Sequence, residues 1–140
     1  MDERLSTRDR ALRAPVALLA EAGRDIVSAS LSLRLRPFDR IVCTLERPTN
    51  NPAADPDTAY WIRRAVSAWG RRLPWRAKCF EQGLAAAAML GRRGLAYEVH
   101  YGAASTSDAP TAHVWVTSGG IAVVGCENAT DHTELAVFAG

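Results

Sequence analysis

Residues 79–101 read CFEQGLAAAAMLGRRGLAYEVHY, and the hydrophobic period changes inside this one stretch. From Cys79 to Leu90, Phe80, Leu84, the alanines at 85–88, Met89 and Leu90 leave almost no polar face. That is the pattern of a helix buried on most sides. Gly83 and the alanines let neighbouring elements approach closely. Arg92 and Arg93 suit the negative end of the helix dipole, and Gly91 or Gly94 can end the helix. Beyond Gly94 the period becomes two: Leu95, Tyr97, Val99 and Tyr101 alternate with Ala96, Glu98 and His100. Alternation predicts a half-buried strand.

Upstream, the chain reads as helical. Apolar residues recur at Leu12, Val16, Leu19, Ile26, Leu31 and Leu35, predicting helix from Arg8 to about Arg34 with breaks at Pro15 and Gly23. Ile41, Val42 and Leu45 mark a short helix within LRPFDRIVCTLE. ERPTNNPAADPD is a linker by its prolines and asparagines. Asp55 or Asp57 can cap the helix that follows, whose apolar face is Ala59, Ile62, Val66 and Trp69, opposed by Arg63, Arg64 and Ser67.

Downstream, GAASTSDAPT reads as a loop. AHVWVTSGGIAVV predicts a hairpin: a strand from Ala112 to Thr117, a Gly119-Gly120 turn and a return strand from Ile121. A last strand is expected from Thr133 to Phe138. Helices followed by an antiparallel sheet make an α+β layout. The 140 residues suit one domain over 1–140, with a helical part at about 1–52 and a catalytic core at about 53–140.

Composition narrows the function classes. Hydrophobic residues are 48% and charged residues 23%, as in ordinary globular chains. Seventeen Lys+Arg against fifteen Asp+Glu give a net charge of +2. That is too mild to argue for nucleic acid, and no basic stripe is interleaved with aromatics. The start MDERLSTRDR is unlike a secretory signal, and APVALLA is far short of a membrane span. The expected setting is cytoplasmic, with no stable membrane insertion. Trp61, Trp69 and Trp75 fit a partner surface or a core equally well.

Cysteines are the chemical question. Cys79 can be a small core residue, a disulfide half, a metal ligand or a nucleophile. Three cysteines, Cys43, Cys79 and Cys126, at wide spacing and without a signal do not suggest a disulfide framework. No CxxC, no HxxxH and no carboxylate–histidine pair at helical spacing supports a metal site. Core residue and nucleophile both stand. A cysteine in the first turn of a helix has its thiolate stabilised by the dipole and by N–H groups that can later hold an oxyanion. His113 follows 34 residues later, on the face of its strand shared with Trp115 and Thr117, opposite Ala112, Val114 and Val116. A histidine on a strand beside that helix can act as base for the cysteine. His100, on a face with Glu98, is expected to be solvated, and His132 to lie at the surface.

KCFEQGLAAAAMLGRRGLAYEVHYG followed by AHVWVTSGGIAVVG resembles the lasso-peptide leader peptidases, a branch of the transglutaminase-like cysteine protease superfamily. The shared pattern falls on Cys79, Gln82, Leu84, Leu90, Arg92, Arg93, Gly94, Ala112, His113, Trp115 and Val116. The stretches LRLRPFDRIV and WIRRAVSAWGRRLPWRAKC are similar to that family as well. The resemblance implies a papain-like cysteine protease fold, with Cys79 as nucleophile and His113 as general base and then acid. Gln82 would support them, in packing or in substrate alignment. Where the family often carries an aspartate, this chain has Gly125, twelve residues after His113. Glu127 is the favoured third residue, with Asn128, Asp131 or none as alternatives.

The function so implied is removal of the leader from a lasso-peptide precursor, ahead of ring closure by an ATP-dependent macrolactam synthetase. A small stand-alone leader-recognition protein is the expected partner, and no cofactor is implied. The rival readings are an acyltransferase or transglutaminase on the same fold, and an inactive transglutaminase-like binding module.

Overall fold

The computed structural model describes residues 15–47, 49–72, 79–105, 110–126 and 132–140, with the main chain alone at 104–105 and 110–111. Among the described residues, four helices come first: α1 (Val16–Leu35), α2 (Phe38–Leu45), α3 (Pro56–Arg72) and α4 (Cys79–Arg92). Four strands follow: β1 (Glu98–Ser105), β2 (Pro110–Ser118), β3 (Ile121–Val124) and β4 (Thr133–Ala139). The antiparallel sheet has the order β3-β2-β1-β4. The fold is therefore α+β, helices first and sheet second.

Helix α4 is the centre of the core. Gly83, Ala85, Ala86, Ala87, Met89 and Leu90 are buried, and the helix lies against β2. A Cβ built on Gly83 would stand 2.7 Å from Val114 Cγ1. Only hydrogen at that position lets helix and strand meet so closely. Val99, Val114, Val116, Val123 and Val124 supply the sheet side of the same core. Helix α1 covers α4 from the other side, and α3 packs on both helices and on β3.

Gly23 does not interrupt α1, which runs unbroken through it. A Cβ there would come within 2.7 Å of Trp69 Cε2. The glycine is a notch for the indole, whose Nε1 donates to Leu19 O at 2.5 Å. Trp69 is thereby half-buried packing, as is Trp61 against Tyr60; Trp75 and the predicted helical stretch before Pro15 lie outside the described residues.

Arg92 and Arg93 do more than face a helix dipole. Arg92 grips the buried Asp25 of α1 with two hydrogen bonds, at 2.9 and 3.1 Å. Arg93 holds Glu21 through its two terminal guanidinium nitrogens, at 2.7 and 2.8 Å, and donates to Met89 O at 3.0 Å. These bonds hold the Glu21 carboxyl below its ordinary range, Arg93 contributing most, and push both guanidinium groups up.

The linker is fastened where it approaches α3. Asp55, rather than Asp57, caps α3: its side chain accepts from the Thr58 hydroxyl and from Thr58 N–H at 3.3 Å. Pro56 takes the first helical position, where a missing N–H is harmless. Ala54 N–H donates to Ser118 Oγ at 2.8 Å, and that fully buried hydroxyl donates onward to Ala96 O at 2.5 Å.

The hairpin turns at Gly119 and Gly120, with φ of +56° and +84°, as a two-residue turn of the sheet's handedness needs. The predicted loop after Tyr101 is shorter than its composition suggests. Gly102 to Ser105 continue β1 and pair with Pro110 to His113. Small residues mask this strand, whose Gly102 and Ala103 also pair with β4 on the other edge.

Candidate active site

Cys79 is the first residue of α4, so the N–H groups of its first turn have no acceptor within the helix. Its side chain lines a hollow of about 190 Å³ with Ser67 from α3, Gln82 one turn on, His113 and Val114 from β2, and Val124 and Gly125 from the end of β3. The fold therefore brings Cys79, Gln82 and His113 to one place. Gln82 also packs on Gly70 of α3, where a Cβ would stand 2.6 Å from its Nε2. Thus the amide is wedged between two helices and faces the hollow.

The geometry at His113 explains the glycine downstream. Past the last β2–β3 pair, Val116 with Val124, the chain turns through Gly125 with φ of +73°. Its carbonyl oxygen then accepts from His113 Nε2 at 2.7 Å. A carbonyl can only accept, so Nε2 carries the proton. The main chain supplies the orienting acceptor at the position where a carboxylate side chain was expected. A Cβ on Gly125 would sit 2.7 Å from Val114 O and 3.3 Å from His113 Nε2. With this backbone, no aspartate fits there. Glu127, the sequence-based choice for a third residue, lies outside the described residues, as do Asn128 and Asp131.

Two histidines sit differently from expectation. His132 is half-buried rather than a surface residue, its ring centroid 5.0 Å from that of His113. His100 is not solvated: its side chain is 16% exposed, with Glu134 at Nδ1 and Thr117 Oγ1 2.8 Å from Nε2. The sequence placed neither near the site, because the packing partners come from β4, whose position beside β1 no local pattern announces. Alternation puts Trp115 on the His113 face of its strand. It stacks on both His100 and His113.

All three cysteines are thiols outside any disulfide, Cys43 exposed, Cys79 and Cys126 half-buried. Cys126 Sγ donates weakly to Val116 O and Val124 O, at 3.4 and 3.5 Å. Among the described residues no helix is long and apolar enough to cross a membrane.

A cysteine at a helix N-terminus sharing a hollow with a strand-borne histidine, on an α+β frame of this order, is the arrangement of cysteine-dependent acyl-transfer folds. Family comparison agrees: the Transglutaminase-like superfamily matches residues 22–138, and the chain belongs to it. That superfamily includes cysteine peptidases and acyltransferases. No curated protein and no solved structure matches the chain.

Proposed function

We propose that the protein is a cysteine peptidase that removes the leader from a lasso-peptide precursor. The observation that carries the chemistry is the single hollow lined by Cys79, His113 and Gln82, with Nε2 of His113 tied to Gly125 O. With Nε2 protonated, Nδ1 is the nitrogen left to exchange a proton with the thiol. Cys79 sulfur attacks the carbonyl carbon at the leader–core junction, and first-turn N–H groups of α4 stabilise the oxyanion. The carbon–nitrogen bond breaks as His113 hands its proton to the departing amine. Water, deprotonated by His113, then attacks the thioester and frees the leader as a carboxylate. The core keeps its new amine, the group an ATP-dependent macrolactam synthetase would acylate. A small leader-recognition protein would deliver the precursor.

Support for the leader-peptidase reading comes from the sequence resemblance around Cys79 and His113. Mass spectrometry of a precursor incubated with the protein and a recognition partner tests it. Two fragments are expected, and none with Cys79→Ala; cleavage retained by that variant sinks the mechanism. A transglutaminase would instead join an amine to a glutamine side chain with release of ammonia, leaving the precursor chain uncut. An inactive binding module predicts that Cys79 reacts with iodoacetamide no faster than Cys43. Cys43 is the more exposed thiol, so a faster Cys79 reports chemistry and not access. Glu127→Gln asks whether a carboxylate adds to the Gly125 carbonyl: lower turnover gives Glu127 a part, and unchanged turnover leaves the carbonyl as the orienting group. Cys126→Ser should keep most activity.

A further inference from the structure

The outer face of the sheet carries a polar network that the acyl-transfer steps do not use. Thr117 Oγ1 donates to Glu98 Oε2 at 2.6 Å. Thr117 Oγ1 also lies 2.8 Å from His100 Nε2. The other ring nitrogen, Nδ1, bonds Glu134 Oε1. Both ring nitrogens of His100 are thus engaged, and the ring is held at two points in one chain, Glu134–His100–Thr117–Glu98.

Trp115 rests on this fixed ring. The two rings stack with centroids 5.3 Å apart and planes within 3°. The indole is 7% exposed, and a Cβ on Gly102 would collide with it at 2.8 Å from Cζ3. Bare backbone at Gly102, the β1 partner of His113, thus gives the indole its seat. His113 in turn stacks against Trp115, with centroids 5.9 Å apart and a 20° angle.

The stack supplies what the Gly125 carbonyl lacks. One hydrogen bond at Nε2 fixes a direction but leaves the ring free to swing about that bond. A neutral carbonyl is also a weaker anchor than the carboxylate it replaces. Contact with a rigid indole removes the swing. We propose that Glu98, Thr117, His100 and Glu134 clamp Trp115 and, through it, hold the His113 imidazole in the plane from which it serves Cys79. His100 and Trp115 are then positioning residues of the Cys79–His113 pair, and this rests on the reading of that pair as the reactive one.

The test is the rate of Cys79 alkylation by iodoacetamide across pH, read by mass spectrometry on the full chain with Cys43 as the internal reference. Trp115→Ala should slow Cys79 near neutral pH by roughly ten- to a hundredfold, with Trp115→Phe restoring most of the rate. His100→Leu and Glu134→Gln should slow it by roughly three- to tenfold, while Cys43 is unchanged in every variant. Folded Trp115→Ala and His100→Leu proteins that keep the wild-type pH profile overturn the proposal. Should Trp115→Ala fail to fold, Glu134→Gln decides, since that side chain is 47% exposed and its removal leaves the core intact. A wild-type Cys79 no faster than Cys43 also overturns it, because no activated pair then exists to be positioned. Enhanced alkylation that falls in these variants, in a protein that leaves the precursor uncut, upholds the positioning role and rejects the peptidase one.

Discussion

The two sides of the hollow are built from different materials. Cys79 stands on a helix fixed by volume: glycine and alanine packed to contact against Val114 on one side and α1 on the other. His113 stands within strand β2 and is fixed by direction, through one main-chain hydrogen bond and a ladder of stacked rings. Packing fails gradually and globally, since a misfit in the core is shared by its neighbours. A directional contact fails locally and leaves the fold standing. Injury to the helix side should therefore be read in stability, and injury to the sheet side in reactivity.

The largest effect is expected at Gly125, where this contrast can be broken. Gly125→Ala puts a Cβ against Val114 O at a φ of +73°, so the main chain must shift and carry the carbonyl away from His113. Turnover and Cys79 alkylation should fall by about a hundredfold, with a stability loss of only about 1–2 kcal/mol in denaturant titration. A stability loss without a reactivity loss would erase the distinction between the two sides. Gly83→Val is the converse. Its side chain overlaps Val114, and about 1–3 kcal/mol of stability should go, while the fraction still folded keeps most of its alkylation rate.

Smaller effects sharpen the same contrast. Ser118→Ala orphans the Ala54 N–H and the Ala96 carbonyl in a fully buried place, which should destabilise by about 1–2 kcal/mol without touching the hollow. Glu21→Gln weakens the tie between α1 and the end of α4, by about 1 kcal/mol or less at neutral pH, because Arg92 and Arg93 are partly exposed. Its sign with pH follows from the direction of the shift. The folded carboxyl lies below its ordinary value, so its contribution is complete above that value and disappears as pH falls through the folded one. Wild type and variant should thus converge in thermal midpoint on acidification; a gap that widens instead contradicts the assignment.

Much of the fold is legible in the sequence where periodicity is strong. The change of period at Gly94 divides helix from strand, and Gly119-Gly120 announces its hairpin. Gly23 misleads because a glycine that makes room for an indole looks like one that ends a helix. Gly102 to Ser105 mislead because their small side chains carry no alternation, although all four pair with β2 and the first two also with β4. At the candidate site, residue type and position raise Cys79 and His113 as candidates, and the family resemblance is what favours them. The acceptor for His113 is not raised in this way, since a main-chain carbonyl leaves no side-chain letter; its only mark is a glycine standing where a carboxylate was expected. His100 and His132 come to matter through the placement of β4, which local sequence does not encode.

The bracket at Ser118 has a further consequence, for motion. A proline-rich connection between two helices reads like a hinge about which helical layer and sheet might part. Here its Ala54 amide is bonded to a hydroxyl rooted in β2, and Pro52 O accepts from Ala96 N–H at 2.8 Å. The amide of Ala54 should therefore exchange with deuterium on the slow timescale of the sheet, while unbonded linker amides exchange at once. Tied to the sheet in this way, the connection resists serving as a hinge between the helical layer and the sheet.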